Sequence, residues 1–266
     1  MKAIRSRKDL GKVRRIVVKI GTKSLTDEKH RLDEKKVRKF VDDVMAVRRS
    51  GREILVVSSG AIGAGMGRLG IDRKPKKLSA LQAVAAVGQG ILMQTYEKIF
   101  GEHGQVVAQI LLSAEDFVNP ERYRNFRNTA ATLLKWGVVP IINENDTVAT
   151  EEIRVGDNDI LSAYVAKGVK ADLLVLLSDV DGVYLGHPRK PGSDIIGLVE
   201  RVTPQIERAV FRSSKGFGGM FTKVQAARTV TEAGIAAVIA NSGEKNILNR
   251  IIAGEEVGTL FLPRRE

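Results

Sequence analysis

The segment from residue 138 to residue 166 constrains the fold most, because its character changes twice. It begins as an apolar run, Val-Val-Pro-Ile-Ile at 138–142, which predicts a buried strand. It then becomes polar, with six carboxylates between residues 143 and 159, and an apolar pattern at helical spacing resumes at Ile160. A buried strand that leads through a polar loop into a helix is the repeating unit of an open α/β sheet.

The polar loop in this unit predicts a ligand site. Open α/β sheets bind ligands outside the carboxyl ends of their strands, which is where residues 143–159 would lie. The alternative is a solvated loop that ends in a helix cap, since Asp157, Asn158 and Asp159 are all good capping residues. The pattern of this segment alone leaves both interpretations open.

Strand and helix patterns alternate through the rest of the chain. Strands are predicted at 15–22, 54–57, 105–112, 172–177, 235–240 and 258–262. Helices are predicted at 33–50, 79–101, 119–135, 224–233 and near 246–253. No internal repeat, low-complexity segment or linker interrupts them, so residues 1–266 are predicted to form one domain.

Three turns combine glycine with groups that attract anions. Lys19 lies near the carboxyl end of the first strand, two residues before Gly21, so its ammonium group could reach a phosphate that approaches the backbone. Ser58-Ser59-Gly60 follows the second strand and predicts a nest of backbone N–H groups at a helix start. A glycine cluster at 216–219 leads to Lys223 and the helix at 224–233.

A dinucleotide site is rejected, although residues 65–70 match G-x-G-x-x-G. The match begins well beyond the strand, and no acid between Asp72 and Glu97 could hold a ribose. A Walker A motif is also absent from the sequence, because no Gly-Lys-Ser/Thr occurs.

Two lysines with carboxylates between them predict phosphoryl transfer. This chemistry needs in-line positioning and cations over the transferred group. Lys19 and Lys223 could lie on opposite sides of that group, with Asp159 or Asp179 fixing both ammonium groups. Charge alone does not choose between the two aspartates.

Composition narrows the class of protein further. The net charge is +12, and residues 1–40 contain 15 Lys and Arg against five Asp and Glu. A nucleic-acid arm is one interpretation, but no aromatic residue precedes Phe40, so a basic face that attracts anionic substrates is favoured. The absence of cysteine excludes disulfides and thiolate sites, and no apolar run could span a bilayer. A cytoplasmic protein is expected.

Five motifs, in order from about residue 14 to 262, resemble the glutamate 5-kinases of the amino acid kinase family. They are Val17-Val18-Lys19-Ile20-Gly21-Thr22, Ser58-Ser59-Gly60-Ala61-Ile62, Asn143-Glu144-Asn145-Asp146, Gly156-Asp157-Asn158-Asp159 and Gly218-Gly219-Met220-Phe221-Thr222-Lys223. The resemblance implies a three-layer αβα sandwich around an open, mainly parallel sheet. It also implies ATP-dependent phosphorylation of the γ-carboxylate of L-glutamate, the first step of proline biosynthesis. A sister kinase for an acid such as N-acetylglutamate is the alternative, ahead of a basic nucleic-acid-binding module.

The same resemblance implies a role for each matching residue. Lys19 and Lys223 would stabilise the phosphoryl group, with Asp159 holding them in place. Glutamate would be bound by four residues: Ser59, Asp146, Asp157 and Asn158. ATP would contact Lys19, Gly21, Ser178, Asp179, Phe217, Gly218, Gly219, Met220, Phe221, Thr222 and Lys223. Mg²⁺ would arrive on the ATP phosphates, so no protein metal site is expected.

The resemblance also implies how the protein is regulated and assembled, and the sequence departs from the family pattern at three residues. The resemblance implies a homo-oligomer, either dimer or tetramer, and proline as a possible feedback inhibitor. Phe217 and Phe221 are bulkier than usual for the nucleotide loop, and His187 replaces the usual aspartate before Pro-Arg. No carboxyl-terminal PUA domain, an RNA-binding-like module of many bacterial members, is expected.

Overall fold

The computed structural model describes residues 4–29, 31–148, 158–184, 194–213 and 219–264, with backbone only at 209 and 211–213. The strands are β1 (Arg15–Ile20), β2 (Glu53–Ser58), β3 (Val107–Leu112), β4 (Val139–Glu144), β5 (Leu173–Ser178), β6 (Leu198–Val199), β7 (Ala236–Asn241) and β8 (Thr259–Phe261). The α-helices are α1 (Glu34–Arg48), α2 (Ala61–Leu69), α3 (Leu78–Glu102), α4 (Ala114–Val118), α5 (Pro120–Lys135), α6 (Asn158–Gly168), α7 (Pro204–Ser213), α8 (Gly219–Thr231) and α9 (Ile247–Ile252). Two 3₁₀ turns cover Arg7–Lys12 and Thr22–Ser24.

These strands form one sheet in the order β3-β4-β2-β1-β5-β7-β8-β6. Every neighbouring pair is parallel except β7 and β8. The central strands β1, β2 and β5 are Val-, Ile- and Leu-rich and buried along nearly their whole length, as expected for parallel strands covered on both faces. The carboxyl ends of these neighbouring parallel strands therefore lie at one edge of the sheet.

Each face of the sheet is covered by its own apolar layer. One layer packs Phe40 of α1 and Tyr96 of α3 against the sheet. The other packs Phe126 of α5, Leu161 of α6 and Val224 of α8 against the opposite face. Residues of β1 alternate between the two layers, which confirms the predicted three-layer αβα sandwich with a mainly parallel sheet.

Helices α2 and α3 pack so closely that two glycines are required. A Cβ added at Gly88 would lie 1.8 Å from the carbonyl oxygen of Ala61, and one at Gly65 would lie 1.9 Å from that of Val84. Gly65 belongs to the rejected G-x-G-x-x-G match, and its place inside α2 gives it a packing role. The match therefore does not form a strand-to-helix turn.

The structure also differs from the sequence predictions in several elements. Helix α6 begins at Asn158, two residues before the apolar pattern, so Asn158 and Asp159 lie within the helix. Strand β6, which is two residues long, and helix α7 were not predicted, and α4 forms where a turn was predicted. A two-residue strand is too short to show a period. Within the described ranges, no helix combines the length and apolar character that a bilayer span requires.

Candidate active site

Two lysines from distant parts of the chain meet on one carboxylate. The Nζ of Lys19 lies 2.6 Å from Oδ1 of Asp159, and the Nζ of Lys223 lies 2.9 Å from its Oδ2. All three residues are buried: Lys19 is 1% exposed, Lys223 is 6% exposed and Asp159 is 0% exposed. The sequence left Asp159 and Asp179 as alternatives for this position, and Asp159 lies there.

The fold explains why these side chains converge. Lys19 is the penultimate residue of β1, Asp159 lies in the first turn of α6, and Lys223 follows one turn after the start of α8. The Nζ of Lys223 also donates to the carbonyl oxygen of Gly219, and Thr222 donates its hydroxyl to Asp159 Oδ2 at 2.9 Å. The start of α8 is thereby tied to the start of α6 beside the end of β1.

The charges of this cluster make it suitable for an anion. Taken by themselves, the two ammonium groups and the carboxylate sum to a charge of +1, and all three side chains are buried. Buried charges need opposite partners, because the low dielectric removes the stabilisation that water would give. A phosphoryl group or another anion would balance the remaining charge.

A second cluster surrounds the turn after β2. The two N–H groups of Asn158 Nδ2 are shared among three acceptors: the carbonyl oxygen of Ser58 at 3.0 Å, Ser59 Oγ at 2.9 Å and Asn143 Oδ1 at 2.9 Å. Because a backbone carbonyl can only accept, the Ser58 contact fixes which end of the Asn158 amide faces the turn. The Oδ1 of Asn158 is buried and accepts no hydrogen bond from any residue the structure describes.

Two carboxyl groups, one at the end of β4 and one just beyond it, have raised pKa values. Burial, followed by the charge of Asp146, raises the pKa of Glu144 to about 7. Burial also raises the pKa of Asp146, and the charge of Lys74 opposes that rise. Carboxyl groups in such a setting gain from a nearby cation, because it would stabilise their ionised form.

Four of the residues predicted to contact a nucleotide, Lys19, Gly21, Ser178 and Asp179, lie at the ends of the neighbouring strands β1 and β5. Gly21 follows β1, and a Cβ there would lie 3.7 Å from the Nζ of Lys19. At the end of β5, Ser178 donates to Asp179, which pairs with the exposed Lys23 at 3.0 Å. Lys23 and Asp179 also line a cavity of about 370 Å³.

Some residues singled out in the sequence lie outside the described ranges, and others contribute to packing. Asp157, Phe217, Gly218 and His187 lie outside the described residues. Met220 and Phe221 are partly buried and pack against the apolar layer that contains α6 and α8. No group of three or more His, Asp or Glu side chains that could hold a metal ion occurs in the part of the chain the structure describes.

The structure adds three residues that the site predictions did not include. Asn143 accepts from Asn158, Gln89 of α3 accepts from Asn143, and Lys23 pairs with Asp179. Asn143 was within a recognised motif, so the sequence held a signal for it. Gln89 and Lys23 stand in no such motif.

Comparisons with known proteins show the family of the chain. The model of the amino acid kinase family matches residues 14–241. Similar proteins include three named glutamate 5-kinase. That of Caldanaerobacter subterraneus subsp. tengcongensis is 48% identical over 94% of this chain and 68% of its own length. That of Moorella thermoacetica is 49% identical over 96% and 68%, and that of Symbiobacterium thermophilum 47% over 96% and 98%.

Two solved structures share the fold at low sequence identity. UMP kinase from Bacillus anthracis superimposes with a TM-score of 0.66 at 18% identity, covering 95% of this chain and 97% of its own. Carbamate kinase from Giardia lamblia, bound to AMP-PNP, gives a TM-score of 0.64 at 18% identity, covering 96% and 100%. At this identity the likeness concerns the fold alone.

Proposed function

The chain belongs to the amino acid kinase family, and we propose that it transfers the γ-phosphoryl group of ATP to the γ-carboxylate of L-glutamate. The observation that carries this proposal is the meeting of Lys19 and Lys223 on Asp159. Relatives at 46–49% identity that match nearly the whole chain are named glutamate 5-kinase, which supports the choice of substrate. The products are γ-glutamyl phosphate, an intermediate of proline biosynthesis, and ADP.

The reaction requires few proton movements. An oxygen of the glutamate γ-carboxylate attacks the γ-phosphorus, and the bond from that phosphorus to the bridging oxygen of ADP breaks with its electron pair remaining on ADP. A carboxylate is already ionised at neutral pH, so no general base is needed. Lys19 and Lys223 stabilise the charge on the transferred and leaving oxygens, and Asp159 fixes both ammonium groups.

The amide of Asn158 sets the polarity of the glutamate site. Because Asn158 Nδ2 donates to Ser59 Oγ, the hydroxyl hydrogen of Ser59 remains to donate to a substrate carboxylate. The unused Oδ1 of Asn158 and the carboxyl of Asp146 suit the substrate ammonium group. The assignment of Asp157 to the same site remains a prediction.

Nucleotide binding is assigned to the adjoining strand ends. We place the ATP phosphates beside Lys19 and Gly21, and the rest of the nucleotide near Ser178, Asp179 and residues 217–223. Both oxygens of Asp159 contact ammonium groups, so this carboxylate fits the fixing of the lysines better than metal ligation. Mg²⁺ is therefore assigned to the ATP phosphates, whose charge it would neutralise.

A sister activity on N-acetylglutamate is the second candidate. The raised pKa values of Glu144 and Asp146 favour free glutamate, because its ammonium group, which N-acetylglutamate lacks, could stabilise the ionised carboxylates. Proline inhibition, a dimer or tetramer, and a cytoplasmic location stay predictions. A proline titration that leaves activity unchanged at every glutamate concentration would discard the first of these.

The test measures ATP consumption with L-glutamate, N-acetylglutamate, L-aspartate or no acceptor, with hydroxylamine present to trap an acyl phosphate. Wild type is compared with Lys223→Ala and with Lys35→Ala, a control at an exposed lysine of α1. We expect a glutamate-dependent hydroxamate from wild type and the control, and none from Lys223→Ala. Turnover with only another acceptor would replace the substrate, and turnover with none would reject the proposed reaction.

A further inference from the structure

Gln89 ends a chain of hydrogen-bonded amides that begins beside the proposed substrate site. Asn158 Nδ2 donates to Asn143 Oδ1 at 2.9 Å, and Asn143 Nδ2 donates to Gln89 Oε1 at 2.8 Å. Asn158 and Asn143 are 8% and 3% exposed, so water has little access to replace either bond. Gln89 is half-buried on α3, in a segment that no site motif of the sequence covers.

Two backbone groups fix which amide donates and which accepts in this series of hydrogen bonds. The carbonyl oxygen of Ser58 can only accept, so it holds Nδ2 of Asn158. The backbone N–H of Glu144 can only donate, and it donates to Asn143 Oδ1 at 2.8 Å. The Nδ2 of Asn143 is consequently turned towards α3, where Gln89 Oε1 supplies its acceptor.

Helix α3 holds Gln89 in a defined place. The neighbouring residue Gly88 packs against Ala61 of α2 at a distance that leaves no room for a side chain. Tyr96, seven residues after Gln89 and on a similar face of the helix, forms a 2.7 Å hydrogen bond with Ser58 Oγ. The helix therefore supports the Ser58–Ser59 turn directly through Tyr96, and through the amide chain from Gln89.

We propose that Gln89 is a positioning residue for glutamate, which rests on the function proposed above. Without its oxygen, the Asn143 amide either keeps a buried unpaired N–H or rotates. Rotation would turn its N–H groups towards those of Asn158 and Glu144, which are donors as well. In the first case the unmet N–H of Asn143 disfavours the arrangement that supports Asn158, and in the second case Asn158 loses its acceptor. Either change weakens the hold on the Ser59–Asn158 pair in the arrangement that binds the substrate.

The experiment compares the KM and kcat of wild type, Gln89→Leu and Gln89→Glu. The control is Gln94→Leu, which changes an exposed glutamine of the same helix. Gln89→Leu should raise the KM for glutamate about tenfold, from one lost buried hydrogen bond. Its kcat should change less than about threefold and its KM for ATP should stay constant. Gln89→Glu keeps the acceptor and should restore most of the affinity for glutamate.

A second readout needs no turnover: the rise in Tm that glutamate alone produces should shrink in Gln89→Leu and recover in Gln89→Glu. If Gln89→Leu does not fold, Gln89→Met takes its place, because the methionine side chain is as long as that of glutamine but has no amide. An unchanged KM for glutamate, or equal losses in the Leu and Glu variants, would overturn the inference. Wild type with neither turnover of glutamate nor stabilisation by it would instead reject the proposed function.

Discussion

Asp159 Oδ1 lies 2.6 Å from the Nζ of Lys19, at the point where β1, α6 and α8 meet. The second oxygen of the same carboxylate lies 2.9 Å from the Nζ of Lys223, so one anion holds two cations in fixed positions. Folding alone gains little from a buried ion group, since desolvation offsets much of its Coulomb energy. The arrangement is better explained by the anionic group that the two lysines would face during phosphoryl transfer.

Replacing Asp159 by Asn should abolish turnover and destabilise the chain. The substitution leaves two buried ammonium groups without their shared carboxylate, and removing one member of a buried ion group costs about 3–5 kcal/mol. Urea unfolding and glutamate-dependent ATP consumption measure the two effects. Asp72→Asn, at an exposed aspartate, is the control that should change neither. A fully stable Asp159→Asn variant would contradict the compensating role of this carboxylate.

Gly21→Ala should separate nucleotide binding from stability. Gly21 has φ −83° and ψ 159°, which any residue can adopt, so alanine should raise the free energy of unfolding by about 0.5 kcal/mol. Its Cβ would lie 3.7 Å from Lys19 Nζ, in the space through which a phosphate would approach the ammonium group. We expect a higher KM for ATP and a lower kcat, with unchanged stabilisation by glutamate.

The control for this substitution is Gly101→Ala, where an added Cβ meets no atom within 4 Å. Steady-state kinetics with varied ATP and thermal unfolding with glutamate supply the measurements. If Gly21→Ala kept the wild-type KM for ATP, the phosphates would not pass beside Gly21.

The sequence was sufficient to predict the elements that carry the charged residues. Lys19 ends a short apolar run, and Lys223 follows a glycine cluster, so local patterns place both at the ends of elements. The choice between Asp159 and Asp179 was different, because each lies where a polar stretch borders an apolar run and both carry the same charge. It depends on how α6 and α8 pack on the sheet, which is a non-local property.

The role of Gln89, an uncharged residue, also depends on non-local packing that the sequence does not show. Gln89 lies in an Ala-rich helical pattern, and its role depends on the position of α3 against β4, which the sequence does not reveal. The close approach of α2 and α3 was also hidden, because Gly65 and Gly88 stand in separate helices. Glycines within helical patterns usually lower the helix propensity, and only the packing distance shows why these two are needed.

Two glycines of α3 should respond oppositely to alanine. At Gly88 a Cβ would lie 1.8 Å from the Ala61 carbonyl oxygen and 2.4 Å from the backbone nitrogen of Gly65, so the helices would have to separate. Overpacking of this kind costs about 1–3 kcal/mol or more. Gly90 is exposed and a Cβ there meets no atom within 4 Å, so Gly90→Ala should gain about 0.5–1 kcal/mol. Urea unfolding tests both, and equal effects would contradict the packing explanation.

Glu144 should make the stability of the free protein decrease as the pH rises. Burial raises its pKa from 4.5 to about 7, so the folded state binds more protons than the unfolded state between these values. The free energy of unfolding then falls from about pH 4.5 upwards, and this loss is complete above about pH 7. Glu144→Gln removes the contribution, so its Tm should exceed that of wild type at pH 8 by more than at pH 5. Thermal unfolding across this range measures the difference, with the exposed Glu97→Gln as control. Parallel Tm profiles for wild type and Glu144→Gln would show that Glu144 ionises as freely in the folded chain as in the unfolded one.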